Sequence, residues 1–240
     1  MLKLIRGILA CLFALAMGSA QGALVDRGGG MIYDDVLDIT WLQDANYLST
    51  QFYASGGAIG DADGQLSWYD AKSWVDNLSY GGYTDWRLPR VRPVNGISFQ
   101  YNTVSHDGSD DIGYNISAPN SFYAGTTASE LAYMFFVNLG NKALFDPLTD
   151  AIQPDHGFLN FGPFVNVQNY IYFTETKFER FAEMAWSLDA VNGGGGGIGK
   201  GSYAYAWAVR DGDVANVPEP GTLALLALGL AALGYSRRKR

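Results

Sequence analysis

The densest group of side chains able to hold a cation is His106-Asp107-Gly108-Ser109-Asp110-Asp111. Carboxylate oxygens suit a hard cation such as calcium, and Asp107, Asp110 and Asp111 are the candidate ligands. A metal site needs ligands converging from several segments, which spacing along one segment does not supply. Asp61-Ala62-Asp63-Gly64 alternates carboxylates before a glycine, but the later ligands of a calcium loop are missing, so a solvated turn is expected there. His156 is too far from His106 in the chain to share a helix face with it, which excludes a helical His pair. The loop aromatics Tyr101, Tyr114 and Tyr123 are candidates for stacking on a sugar or a partner while their hydroxyls stay wet. Arg87 is a further ligand-binding candidate. Its alternative role is to anchor the fold through a carboxylate such as Asp85 or Asp70, which the cost of an unpaired buried guanidinium favours. No Gly-x-Ser-x-Gly elbow is present, neither His has a recognisable partner, and no carboxylate pair stands out for glycoside hydrolysis. The residues point to a binding module rather than an enzyme.

Two helices must position these groups. Residues 67–79 read as one, with Ser67 and Asp70 as a capping box and Ala71, Trp74, Val75 and Leu78 as a buried stripe; Gly81-Gly82 is expected to stop it. Residues 129–139 read as the other, entered through Thr127-Ala128-Ser129-Glu130, with Ala132, Phe135, Phe136 and Leu139 inward and Gly140 as the stop. Short strands are expected at 31–33 and 37–41, with Leu37, Ile39 and Trp41 on one face, and further strands at 158–173, 184–191 and 203–210. In the last, Tyr203, Tyr205, Trp207 and Val209 alternate with Ala204, Ala206 and Ala208, so bulky residues face one layer and alanines admit another element closely. Residues 53–64 and the polar stretch 90–125 read as loop. Gly193–Gly197 lacks the Lys-Ser/Thr of a phosphate loop and reads as a flexible hairpin tip.

The two ends are addresses. Lys3 and Arg6, an apolar run from Gly7 to Met17, and small residues from Gly18 to Ala23 describe a secretory signal peptide over 1–22, cleaved after Ala20 or Gly22. At the other end, Pro218-Glu219-Pro220 precedes an apolar stretch, Thr222 to Tyr235, and the basic cluster Arg237, Arg238, Lys239 and Arg240. This three-part tail, 214–240, resembles the PEP-CTERM sorting signal of bacteria with an outer membrane. The resemblance implies transient insertion in the inner membrane, cutting by an exosortase near Pro218-Glu219-Pro220, and delivery to the cell surface or extracellular matrix. With both ends removed, ten basic residues face 23 or 24 acidic ones, according to whether Glu219 leaves with the tail, a net charge of −13 or −14, which argues against nucleic acid and other polyanions. The single cysteine, Cys11, leaves with the signal peptide, so neither a disulfide nor a thiolate serves the mature domain.

Within 23–213, four blocks stand in a familiar order: Leu37-Asp38-Ile39-Thr40-Trp41; Gly81-Gly82-Tyr83-Thr84-Asp85-Trp86-Arg87-Leu88-Pro89; Ser129-Glu130-Leu131 through Leu139-Gly140-Asn141; and Tyr205-Ala206-Trp207-Ala208-Val209-Arg210. Together they resemble the Lcl C-terminal domain family, named after a bacterial collagen-like adhesin. The resemblance implies an α+β domain, similar to C-type-lectin-like and formylglycine-generating-enzyme-like folds, with two helices on a twisted mixed or antiparallel sheet. Formylglycine-generating chemistry needs cysteines that the mature chain lacks. The adhesin's association with sulfated polysaccharide sits against an acidic surface that would repel such ligands. The expected role is non-enzymatic binding of exopolysaccharide or another surface ligand, with a passive matrix component as the alternative; no cofactor other than calcium is implied.

Overall fold

The computed structural model describes residues 23–101 and 104–214. In chain order they form β1 (Leu24–Asp26), β2 (Met31–Asp34), β3 (Ile39–Leu42), α1 (Tyr47–Ala54), β4 (Gln65–Leu66), α2 (Trp68–Asp76) and β5 (Gly113–Tyr114). Then come α3 (Glu130–Tyr133), which runs on into a π-helical turn at Met134–Asn138, β6 (Ile171–Lys177), β7 (Met184–Asp189), β8 (Gly194–Gly199), β9 (Ala204–Tyr205) and β10 (Val209–Asp211). One sheet has the order β1-β2-β3-β10 and is antiparallel; the other has the order β4-β9-β6-β7-β8-β5, with β6 and β9 its parallel pair. Helices beside mixed and antiparallel sheets make this an α+β domain, as expected from the sequence.

The run 204–209 explains how two sheets share one interior. Tyr205, Trp207 and Val209 enter a core with Trp41, Phe135, Phe136 and Tyr172, whereas Ala204, Ala206 and Ala208 enter a second core with Trp68, Val75, Trp86 and Phe173. Period-two alternation thus sends bulky side chains one way and leaves room on the alanine side for α2. The run itself is not one strand as expected, because its two ends belong to different sheets and the middle crosses between them. Trp207 packs edge-on to Trp41 and Phe164 at 4.9 and 4.8 Å and donates its indole N–H to Leu42 O at 2.8 Å.

Residues 86–91 lie along the same seam. Arg87 exchanges backbone hydrogen bonds with Val209 of β10, and Pro89 O accepts from Glu175 N of β6, so the segment is tied to both sheets. Trp86 and Leu88 are buried beneath it. Gly81 and Gly82 do not end α2, which stops at Asp76. Both have positive φ and form the tip of a tight turn in which Tyr80 and Tyr83 exchange both backbone bonds. A two-residue turn that needs positive φ at both centres selects Gly-Gly.

Ser67 caps α2 as expected, its Oγ accepting from Asp70 N, an interaction worth about 1 kcal/mol, but the box is not reciprocal: the Asp70 carboxylate accepts from the Ser67 hydroxyl. Ala71, Val75 and Leu78 are buried, while Trp74 is half-buried and donates to Gln51 Oε1. For α3 the cap is Ser129, not Thr127, because the Glu130 carboxylate is drawn into an ion pair instead of reaching back. α1 lies partly in a segment read as loop; Leu48 is its buried anchor. Ile39 and Trp41 share the main core as expected, but Leu37 falls in the turn before β3. Residues 158–170 are irregular, and regular pairing begins at Ile171. Gly194–Gly199 is a full strand between β7 and β5, not a hairpin tip. A Cβ on Gly197 would sit 2.7 Å from the Phe178 ring, so glycine there lets an aromatic lie directly on the backbone.

Candidate functional site

The register of the second sheet brings distant residues into one row. Ile171 stands opposite Asp189, Asp189 opposite Gly194, and Gly194 opposite Tyr114, so all four project from one face. In the next row Phe173 stands opposite Ser187 and Ser187 opposite Gly196. Phe173 is buried in the core that holds α2, whereas the other end of this face, at Gly194 and Gly196, lies outside that core. It forms a groove of about 310 Å³ floored by Gly194 and Gly196, with Tyr114 and Ile171 among its walls. A Cβ on Gly196 would meet no atom nearer than Ile112 Cγ2 at 3.9 Å, and its φ is not positive. Neither packing nor backbone strain demands glycine at 196; the groove alone would be filled by a side chain there. The polar lining is local and pre-set: Ser187 Oγ donates to Gly196 O, and the Asp189 carboxylate accepts from Val191 N and Asn192 Nδ2.

Tyr114 is held from behind. It meets Phe145 edge-on at 4.9 Å and His106 at 5.3 Å, and His106 stacks on Phe145 at 3.8 Å with an interplanar angle of 5°. His106 Nδ1 lies 2.5 Å from Asp150 Oδ1, which ties the long polar loop to residues 145–152. Asn115 Nδ2 donates to both His106 O and Phe145 O and closes the same junction.

The other sequence candidates lie elsewhere. Tyr101 stacks on Trp186 with an interplanar angle of 20°, beside an open depression lined by Phe99 and Arg180; its hydroxyl is buried without a hydrogen-bond partner among the described residues. Burial raises the pKa of that hydroxyl. Tyr123 packs on Phe122 and against the main core. The structure therefore brings Tyr114 alone of the three tyrosines into the groove.

Arg87 is 7 % exposed and its five N–H donors are all engaged: Nη1 with Glu130 and Leu88 O, Nη2 with Glu130 and Asp211, and Nε with Asp211. Burial works against its charge, but the hydrogen bonds to Glu130 and Asp211 outweigh it and hold the guanidinium pKa above its ordinary value. The anchor reading is the one the geometry fits, with different carboxylates from those expected. Asp85 instead pairs with Arg210 at 2.8 Å, and Asp70 bonds Ser67.

Asp107, Asp110 and Asp111 do not converge. Both oxygens of Asp111 accept backbone N–H groups, from Val94 and Gln100, and burial pushes its carboxyl above the usual range. Asp107 accepts from the Ser109 hydroxyl and amide, which lower its pKa, and Asp110 accepts from Ile112 N. Among the described residues no group of three His, Cys, Asp or Glu side chains is placed to hold a metal ion. Asp61–Gly64 is a turn closed by Gly64 N to Asp61 O.

With this arrangement in view, the comparison with known families is decisive for the domain. Residues 30–210 match the model of the Lcl C-terminal domain. The chain belongs to the Lcl C-terminal domain family. In this chain the Trp86-Arg87-Leu88-Pro89 block is the seam between the two sheets, not part of the groove. Residues 216–240 match the PEP-CTERM protein-sorting motif, which marks an exported protein held at the membrane before processing by an exosortase. No curated protein and no solved structure matches the chain. Residues 1–22, the residues Pro218-Glu219-Pro220 and the basic cluster 237–240 lie outside the described residues. Among the described residues no helix is long and apolar enough to cross a membrane, and the expected span, Thr222 to Tyr235, is not among them.

Proposed function

We propose that this Lcl C-terminal domain protein is delivered to the cell surface or matrix and there binds exopolysaccharide without chemical turnover, through the groove beside Tyr114. The observation that carries the reading is the row Ile171–Asp189–Gly194–Tyr114, which sets an aromatic wall beside a flat glycine floor. A pyranose ring has one apolar face and a rim of hydroxyls. The ring of Tyr114 supports the first, while Ser187, Asp189 and Asn192 offer acceptors to the second. The surplus of acidic residues, net charge −8 for the whole chain, favours a neutral or cationic glycan over a sulfated one.

The test is titration of the full chain, purified in detergent, with the exopolysaccharide of the producing cell, beside Tyr114→Ala and Gly196→Val. Saturable binding that both variants weaken at least tenfold while retaining the wild-type melting temperature supports the reading. Binding untouched by either variant refutes this groove, and no saturable binding at all leaves the passive matrix role in its place.

A further inference from the structure

On the other side of the Tyr114 backbone lies a second depression. Tyr114 borders the groove and the next residue, Asn115, lines a cleft of about 360 Å³ between residues 115–120, the end of the π-helical turn and residues 140–153. That volume is in the range of small-ligand sites. Asn115 is 1 % exposed, and both side-chain hydrogen bonds are donated by Nδ2, to His106 O at 2.6 Å and Phe145 O at 2.7 Å. Its amide oxygen has no partner among the described residues. Gln153 repeats the pattern: Nε2 donates to Ala143 O and Phe145 O, and Oε1 is left without a partner among them. Because the nitrogens are committed to carbonyls, the orientation of both amides is set.

The charges point the same way. Asp146 uses Oδ1 to accept from Leu148 N, Thr149 N and the Thr149 hydroxyl, which leaves Oδ2 open. Those bonds, the Thr149 hydroxyl first, hold its carboxyl below the usual range, so it is ionised at neutral pH. Lys142 also lines the cleft; its Nζ is held by Asp155 Oδ2 at 2.6 Å and its charge also helps to lower the Asp146 carboxyl, so the three groups together leave one net negative charge beside the cleft. The cleft thus offers the free oxygens of Asn115, Gln153 and Asp146 as acceptors and has a net negative charge, with Phe136, Pro147 and Leu148 as apolar walls. A ligand that brings hydrogen-bond donors and a positive charge complements those acceptors and that net charge.

We infer that this cleft is a subsite for a hexosamine unit bearing a free, protonated amine, with the ammonium at Asp146 and the hydroxyls donating to the amide oxygens of Asn115 and Gln153. The inference rests on the domain being a glycan binder and adds which glycan: one with free amino groups. An N-acetylated unit lacks the charge and enlarges the substituent, and an anionic sugar meets Asp146 directly.

The test uses the full chain with three probes: a glucosamine hexamer, the N-acetylglucosamine hexamer of the same length, and the exopolysaccharide of the producing cell. The glucosamine hexamer is expected to bind at least tenfold more tightly than its acetylated counterpart, with an affinity that falls as salt rises. Asp146→Asn keeps the Oδ1 acceptor and removes the charge; it should cut that preference about fivefold at an unchanged melting temperature. Equal affinity for the two hexamers, or an Asp146→Asn variant as selective as wild type, overturns the subsite. Binding of the native exopolysaccharide with neither hexamer bound overturns it too, while the glycan-binding reading stands. A chain that binds none of the three removes both.

Discussion

Removing the Arg87 side chain should be among the most damaging single changes in the domain, and its size follows from the contacts. The side chains of Arg87 and Glu130 are 9 % and 10 % exposed, and the two are joined by parallel bonds of 2.8 and 2.9 Å. Glu130 also accepts from Arg90 N at 2.7 Å, so its carboxylate cannot move out to water without stripping a backbone donor. In Arg87→Ala that carboxylate stays buried without its cation, a change that typically costs about 3–5 kcal/mol. In a domain of this size the loss corresponds to a fall in melting temperature of roughly 10 °C. Removing both charges separates desolvation from packing. Arg87→Met with Glu130→Leu abolishes the buried charge and should recover much of the loss, though not all, because Arg90 N is then unpaired at about 1–3 kcal/mol. Urea denaturation of the single and double variants decides the matter. A single variant less than about 1 kcal/mol below wild type would refute the buried-pair argument, as would a double variant with additive losses.

Acid should weaken the same network. Asp211 has its pKa lowered first by its hydrogen bond from Arg87, and Asp85 by that from Arg210. Carboxyls lowered in the folded state add stability above their unfolded pKa of about 3.9 and lose it as pH falls through the folded value. Asp34 and Asp111, raised by burial, act in the opposite sense: their contribution is present at low pH and lost as pH rises through their folded values. Melting temperature should therefore fall below about pH 4, and in Arg87→Met that fall should be shallower; a parallel acid limb would show that Asp211 is not coupled to Arg87. Gly197→Ala places a methyl against Phe178 and should cost about 1–3 kcal/mol, whereas Gly196→Ala should stay within about 0.5, and reversed costs would contradict the register of β8. Millimolar calcium or a chelator should leave the melting temperature unchanged, since both oxygens of Asp111 are held by backbone donors; a rise with calcium would show that residues 107–111 rearrange to bind it.

The parts of the fold that follow from local chemistry were legible. The Ser67 cap, the inward stripe of α2 and the alternation of 204–209 depend on nearest-neighbour geometry, which a sequence displays directly. What was missed depends on partners far along the chain. Ser129 and not Thr127 caps α3 because Arg87 claims the Glu130 carboxylate, and nothing near residue 130 announces that. Asp111 resembles a metal ligand only while its backbone partners at 94 and 100 are unseen.

The glycine run is the misreading with the most consequence, because the floor of the groove lay inside it. Composition says flexible tip, since an isolated glycine strand gains little from packing. Yet the signal for the true turn stands just before the run: Asn192-Gly193, a strong hairpin dipeptide, follows the strand-like Met184–Asp189. A turn near that point makes the glycines the returning strand, but the loop is four residues, 190–193, so Asp189 and not Val191 faces Gly194, a register the dipeptide does not give. Once they are a strand, their lack of side chains is a property of a surface and no longer of a loop. Gly197 is bare so that Phe178 can lie on it, and the same strand turns Gly196 to the opposite face, where no side chain among the described residues takes the space. A position that folding leaves open, in a row that ends at Tyr114, is where an outside ring would rest.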